Sequence, residues 1–332
     1  MSYSTGTSTG VNDLLDKLRL FAIAEGWTAN RNAAVTGGTE VCLEKGTSFF
    51  NLLSGQNTTL RVDGIATASK YGISINGSDG YSGGDNWDRQ SGYPQRTVTP
   101  SVTDQFVGFL PIVTNFGSFP AYHFFSYNSG DSIHVELEIS TGIFLRLGFG
   151  KLDLFAASVT GDGRYFYATC GRHVTNSISS NQWLGEPIGN TATMEEVPFR
   201  AAEWGLSSGK SGSAVRCQVG ATNAWAGSGS NIGNTSLPLA AQGGCCHDRV
   251  IMQLSPNPLN GVGVLTPVTV AVNNAGQYLQ PIGTMPGIRY MDMTNYLPGD
   301  EFTLGSDTWK VFPWYNKGGR SDEFGIAHLK IV

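Results

Sequence analysis

Charge is what this sequence has least of. Asp, Glu, Lys and Arg make up 14% of its 332 residues, against the usual quarter or so. The 21 basic residues are scattered, no two are adjacent, and the formal net charge is -5. Nucleic-acid binders cluster Lys and Arg to neutralise phosphates, so no nucleic-acid partner is expected. No apolar run reaches the roughly 18 residues of a membrane-spanning helix, and no membrane span is expected. Met1 to Gly10, MSYSTGTSTG, lacks the basic start and apolar core of a secretory signal. The expectation is a chain made and folded in a cytoplasm. Cysteine is sparse and odd in number: Cys42, Cys170, Cys217, Cys245 and Cys246 fit reduced thiols better than a disulfide framework. There is no internal repeat and no heptad pattern.

What is present points to strands. Forty-four glycines, 40% hydrophobic residues and 11% aromatics exclude disorder and suit an all-β chain with many turns. The low charge also suits a surface covered by neighbouring subunits, since interface cores are depleted in charge. Near the start, Val11, Leu14, Leu15, Leu18, Phe21 and Ala22 recur at amphipathic-helix spacing. Thr9 or Asn12 is placed to cap that helix, Asp13 to meet its positive end, and Gly26 to stop it.

Beyond Trp27 the reading is short strands and turns: Glu40 to Glu44, Ser48 to Leu53, Thr59 to Val62, Ile65 to Ile75, Phe106 to Val113 and Tyr122 to Asn128. Asn76 to Gln95 is too glycine-rich for regular structure and reads as a surface loop. Ser177 to Pro238, dense in Ser, Asn, Gly and Thr and carrying Trp183, Trp204 and Trp225, reads as a loop-rich insertion. Strands resume near Val250 and at Phe302. Leu304-Gly305-Ser306-Asp307 offers a hairpin turn between Glu301 to Leu304 and Thr308 to Phe312. Pro313 ends that strand or lies on an edge, and Phe324 to Val332 is a final strand.

The most informative segment is Asp131 to Phe155, DSIHVELEISTGIFLRLGFGKLDLF. Ile133, Val135, Leu137 and Ile139 alternate with His134, Glu136, Glu138 and Ser140. A period of two predicts a strand with one buried and one wet face. Ser140-Thr141-Gly142 supplies a turn, and Ile143 to Phe149 returns antiparallel. This hairpin resembles one from a family of tailed-bacteriophage virion proteins, through Gly142-Ile143-Phe144 and Gly148-Phe149-Gly150-Lys151-Leu152. A second stretch, GIRYMDMTNYLPGDEFTLGSDTWKVFPWYNKGG from Gly287, closing with FGIAHLKIV, resembles the C-terminal end of the same family. The match is weaker over Asn12 to Trp27, and little matches from Ala157 to Gly283.

Several constellations invite chemistry. Cys245-Cys246-His247-Asp248 carries zinc-ligand residue types, with Cys170-Gly171-Arg172-His173 as a partner across the fold. The spacing is poor, and structural cysteines are the simpler reading. Gly205 to Ser211 is one residue short of a phosphate-binding loop. Gly209-Lys210-Ser211-Gly212-Ser213-Ala214-Val215 resembles a trypsin-like nucleophile segment, with Ala168 to His173 as its histidine motif. No aspartate lies between His173 and Ser211, where that chain order needs one. Glycosidase chemistry needs two carboxylates roughly 5 to 9.5 Å apart. Glu136 with Glu138, and Glu195 with Glu196, are the pairs on offer. Tyr81, Trp87 and Tyr93 could stack on sugar rings or anchor their own loop.

The resulting expectation is a mainly β protein, or β-rich α+β, of antiparallel sheets with one N-terminal amphipathic helix. Its parts are an N-terminal arm and helix (1–30), a β domain (31–160), a loop-rich insertion or subdomain (161–285) and C-terminal strands completing the fold (286–332). The resemblance implies a non-enzymatic structural subunit of a tailed-phage virion, in the tail or tail tip. It implies homo-oligomeric assembly with other tail proteins, with no catalytic residue, metal or cofactor. Its rivals are a receptor-contact module binding host-surface glycan, a polysaccharide-degrading tail enzyme, and a capsid decoration protein.

Overall fold

The computed structural model describes residues 2–58, 70–92, 95–99, 102–112, 118–155, 165–169, 171–174, 214–219, 224–227, 243–246, 259, 263–274, 278–313 and 324–330. In chain order the N-terminal strands are β1 (Ser2–Ser8), β2 (Thr28–Val35), β3 (Gly38–Lys45), β4 (Ser48–Thr58), β5 (Lys70–Ser78), β6 (Gln95–Thr99) and β7 (Val102–Ile112). The central ones are β8 (Phe119–Tyr127), β9 (Ser132–Ser140), β10 (Ile143–Lys151), β11 (Asp153–Leu154), β12 (Tyr165–Thr169), β13 (Gly171–Val174), β14 (Ala214–Val219) and β15 (Ala224–Gly227). The C-terminal ones are β16 (Gly243–Cys246), β17 (Thr266–Asn274), β18 (Tyr278–Asp292), β19 (Glu301–Leu304), β20 (Asp307–Pro313) and β21 (Phe324–Lys330). The fold is mainly β, with antiparallel pairing throughout the described strands and α1 (Val11–Ala24) as the one α-helix among the described residues.

Three sheets result. The first runs β13-β7-β5-β4-β3-β2, with β6 on β7; the middle one runs β1-β8-β9-β10-β12-β14-β15; the third runs β16-β17-β18-β21-β20-β19. Two edges were not legible beforehand: the polar start of the chain is β1, and the run after Trp27 is β2. Thr59 to Val62 and Val250 lie outside the described residues, as does most of Ser177 to Pro238. Of that last stretch, β14 and β15 extend the middle sheet beyond β12.

Helix α1 buries Val11, Leu14, Leu15, Leu18 and Ala22, as its periodicity requires. Its cap is a correction. Gly10 occupies the N-cap with no side-chain hydrogen bond, and Asn12 instead accepts from the Ser54 hydroxyl at 2.7 Å. Asp13 takes the Thr9 N–H at 2.8 Å, placing a carboxylate against the positive end of the helix.

Alternation along the middle sheet decides the layering. Tyr122, Phe124, Ile133, Val135, Leu137, Leu145, Leu147 and Phe149 join one core with α1, Val41, Leu43, Phe50, Leu52, Ile73 and Ile75. Trp27 ties this core together, with ring centroids 5.8 Å from Phe50 and 5.6 Å from Phe149 and its indole N–H on the Gly130 carbonyl at 2.7 Å. The intervening residues Phe125, Tyr127, Phe144 and Phe166 enter a second core with Val268, Val270, Ile282, Met285, Ile288, Tyr290, Phe312 and Ile326. Strands β8, β9 and β10 of the middle sheet are therefore covered on both faces. The expected wet face of β9 is overturned: His134 and Glu136 are each 1% exposed. A period of two reports two different environments, and here the second is a second protein layer.

Two turns came out as read. The β9–β10 hairpin turns at Thr141-Gly142, and β19 and β20 are joined by Gly305-Ser306. Among the described residues no helix is long and apolar enough to cross a membrane.

Gly287 and Gly305 both have positive φ, at 67° and 64°, but differ in surroundings. A Cβ on Gly287 would lie 2.2 Å from the Tyr127 ring, whereas Gly305 has nothing within 4 Å. Alanine at Gly305 should cost about 1 kcal/mol for the left-handed backbone. At Gly287 it should cost about 2–4 kcal/mol, because overpacking adds to the backbone term. Urea denaturation of the two variants measures the difference; equal losses would contradict the close packing of Tyr127 under β18.

Candidate functional site

The register of β8, β9 and β10 creates a polar row inside the second core. His123 stands opposite Glu136, and Glu136 opposite Arg146. One step along, Phe125 faces His134 and His134 faces Gly148. Gly148 is required there, since a Cβ would come within 2.6 Å of the His134 imidazole.

The third sheet supplies the other half. Arg146 Nε donates to Glu136 Oε1 at 2.9 Å and lies 3.1 Å from Oε2. Its Nη2 donates to the carbonyl of Pro313, the last residue of β20, at 2.7 Å. His328 on β21 places Nε2 2.9 Å from Glu136 Oε1. Tyr127 OH donates to the Leu329 carbonyl at 3.1 Å, with His328 Nδ1 at 3.4 Å. Rings pack around this joint: Phe125 stacks on His328 at 4.3 Å, and Phe166 lies 5.7 Å from His134.

The protonation states follow from burial and pairing. Burial alone would raise the Glu136 carboxyl, but the Arg146 charge and the His328 and Arg146 hydrogen bonds outweigh it and hold it below its ordinary value. Burial pushes His328 down despite the neighbouring carboxylate. It pushes His134 well below the usual imidazole range, helped by His328. It takes His123 to about 4, with Lys310 pushing the same way. Burial also raises Tyr127, with Glu136 adding to it. Near neutral pH the joint therefore holds one carboxylate, one guanidinium and three neutral imidazoles. The neutral His328 donates its Nε2–H to Glu136.

Carboxylate, guanidinium and imidazole in contact could do acid–base chemistry if a substrate reached them. The Glu136 and Arg146 side chains are each 1% exposed and that of His328 is 3%. What the arrangement does here is bind β9 and β10 to β20 and β21. In comparisons with protein families and with curated proteins, nothing matches this chain.

The other candidate residues separate. Glu138 is half-buried and accepts the Gly142 N–H at 2.9 Å, locking the hairpin turn; Glu195 and Glu196 lie outside the described residues. Cys245 and Cys246 belong to β16 in the third sheet, His173 to β13 in the first; Cys170, His247 and Asp248 lie outside the described residues. Among the described residues no three potential metal ligands come together. Burial pushes the free Cys42 thiol up to about 12, which removes its nucleophilicity. Lys210, Ser211, Tyr93, Trp183 and Trp204 are also outside the description, and Trp225 is placed only as part of β15. Trp87 is 3% exposed and packs with Cys42 and Leu53, so it anchors its loop. Tyr81 lies beneath the Arg31 guanidinium at 5.6 Å. Gln90 stitches the same loop through Ser82, Asp85 and Asn86.

Sequence reasoning missed the joint, although a signal existed. Arg146 is a lone charge inside the apolar run IFLRLGF, and the hairpin turn sets it opposite Glu136.

Removing one partner of a buried ion pair costs about 3–5 kcal/mol, whereas replacing both by apolar groups is often tolerated. Glu136→Gln should lose stability in that range. The double variant Glu136→Leu with Arg146→Met should recover more than half of the loss. Guanidinium denaturation measures both; a Glu136→Gln effect below about 0.5 kcal/mol, typical of a surface site, would rule out a sealed pair.

Proposed function

We propose that this chain is a non-enzymatic structural subunit of a tailed-bacteriophage particle, placed in the tail or tail tip and working by assembly with copies of itself and other virion proteins. One observation carries the reading. The two stretches that resemble the phage virion family, the Asp131 to Phe155 hairpin and the segment from Gly287 onward, are far apart in sequence but meet at one joint. Arg146 reaches the Pro313 carbonyl, and Glu136 accepts from His328. The resemblance thus covers one cooperating unit.

The chemistry of the described residues supports architecture over turnover. Among the described residues the tight cluster of titratable side chains within the second core is sealed, with Arg146 and His328 both held on Glu136, and the Cys42 thiol is buried. The Trp87 ring, a candidate platform for a sugar, is turned into the fold. Assembly has surface to work with. Among the described strands the sheets end at β1, β15, β2, β13, β16 and β19, and strand edges are templates for pairing. Leu20 and Ile23 lie 52% and 41% exposed on α1, and Leu297 and Leu304 lie 71% and 58% exposed beside the β19 edge.

Mass spectrometry of purified virions, separated into heads and tails, tests this reading. Recovery with tails at a small multiple of three copies is the expected result. Recovery with heads at hundreds of copies would make the chain a shell decoration protein instead. Absence from both would overturn the virion reading.

A further inference from the structure

Three of the chain's five histidines face the seam between the middle and third sheets, and among the described residues none of them has a free carboxylate to balance a second proton on its ring. His134 is the extreme case. It is 1% exposed, and neither ring nitrogen has a hydrogen-bond partner. Tyr127 from β8, His328 from β21 and Phe166 of β12 pack on its ring, and the Glu136–Arg146 pair of β9 and β10 lies one step along the same face. Glu136, the one carboxylate in this set, already accepts from Arg146 and His328.

His328 is similarly placed. Around it lie Glu136 and His134 from β9, Tyr127 and His123 from β8, Arg146 from β10, and Lys310 at the paired position of β20. Lys310 is held off by Glu301 at 3.1 Å and the Gly299 carbonyl at 2.7 Å. On the far side, β18 sets Ile288 opposite His328, with Arg289 next in line. A proton added to either ring leaves an excess positive charge between two apolar layers, where an unpaired ion is strongly disfavoured.

We propose that His134 and His328 make the seam between the middle and third sheets an acid-released joint, so that moderate acidification frees the third sheet while the core around α1 stays folded. The directionality comes from the alternation of β9. His134 and Glu136 project only into the seam, whereas Ile133, Val135 and Leu137 project into the other core. The sign is set by linkage. Both imidazoles are held below the free value of 6.5 by burial, so the unfolded or opened state binds protons first. Stability contributed by the neutral rings is complete above about pH 6.5 and is lost as pH falls towards the folded-state values.

Hydrogen exchange followed by mass spectrometry on the full chain, corrected for intrinsic rates, reads this directly. Between pH 7.5 and 5, protection of β18, β20 and β21 should fall at least tenfold while β3, β4 and β5 keep theirs, and return to pH 7.5 should restore it. His134→Leu removes the titrating group. His328→Gln keeps an N–H for Glu136 without titrating. Either variant should move the opening midpoint down by about one pH unit. Simultaneous loss in both cores, no loss down to pH 4.5, or midpoints unmoved in a folded variant would overturn the proposal.

Discussion

A carboxylate and a guanidinium buried in contact, Glu136 with Arg146, set the terms for the rest of this fold. Taking two ions out of water costs several kcal/mol each, and the pair alone leaves lone pairs and N–H groups unmet. The third sheet meets one on each side, while Arg146 Nη1 has no partner among the described residues. The Pro313 carbonyl takes one guanidinium N–H, and His328 donates to the carboxylate. The middle sheet can therefore be buried on both faces only if the C-terminal strands return to one place and one register. Sliding β21 by one residue would turn His328 away and offer Glu136 a neighbouring apolar side chain.

That constraint explains several sequence features at once. Gly148 leaves room for His134, Phe149 fills the opposite core against Trp27 and Phe50, and Gly287 lets β18 pass over the Tyr127 ring. The G-F-G run and the segment after Gly287 are thus parts of one packing solution. The apolar face of β9 and the face of α1 do the nonspecific work of burial, and the polar row gives that burial an address.

Much of this was legible beforehand, and the failures share one cause. The helix, the central hairpin, the β19–β20 turn and the final strand could be read because periodicity and turn chemistry are local. The environment of His134 and Glu136 could not, because alternation says that two faces differ and not what covers them. Strand β1, seven polar or small residues, carries no apolar pattern and is held by pairing with β8. Gly10 takes the N-cap position in place of Thr9 or Asn12, and Asn12 accepts from Ser54 across the fold. Of the carboxylates weighed for sugar chemistry, Glu138 is locked against a hairpin turn and Glu136 is sealed in an ion pair, while Glu195 and Glu196 lie outside the described residues. The same sealing that keeps solvent from Glu136 makes it a good fastener between the two sheets.

The seam depends on His328 being a neutral, Nε2-protonated imidazole donating to a buried carboxylate. Nitrogen NMR on histidine-labelled protein tests this with five signals to assign. At pH 7.5 one ring should show the Nε2–H tautomer, with a downfield proton protected from exchange with water and lost on Glu136→Leu. A His328 ring that exchanges rapidly and titrates at the ordinary 6.5 would mean the seam is open to solvent, and the buried joint would not exist.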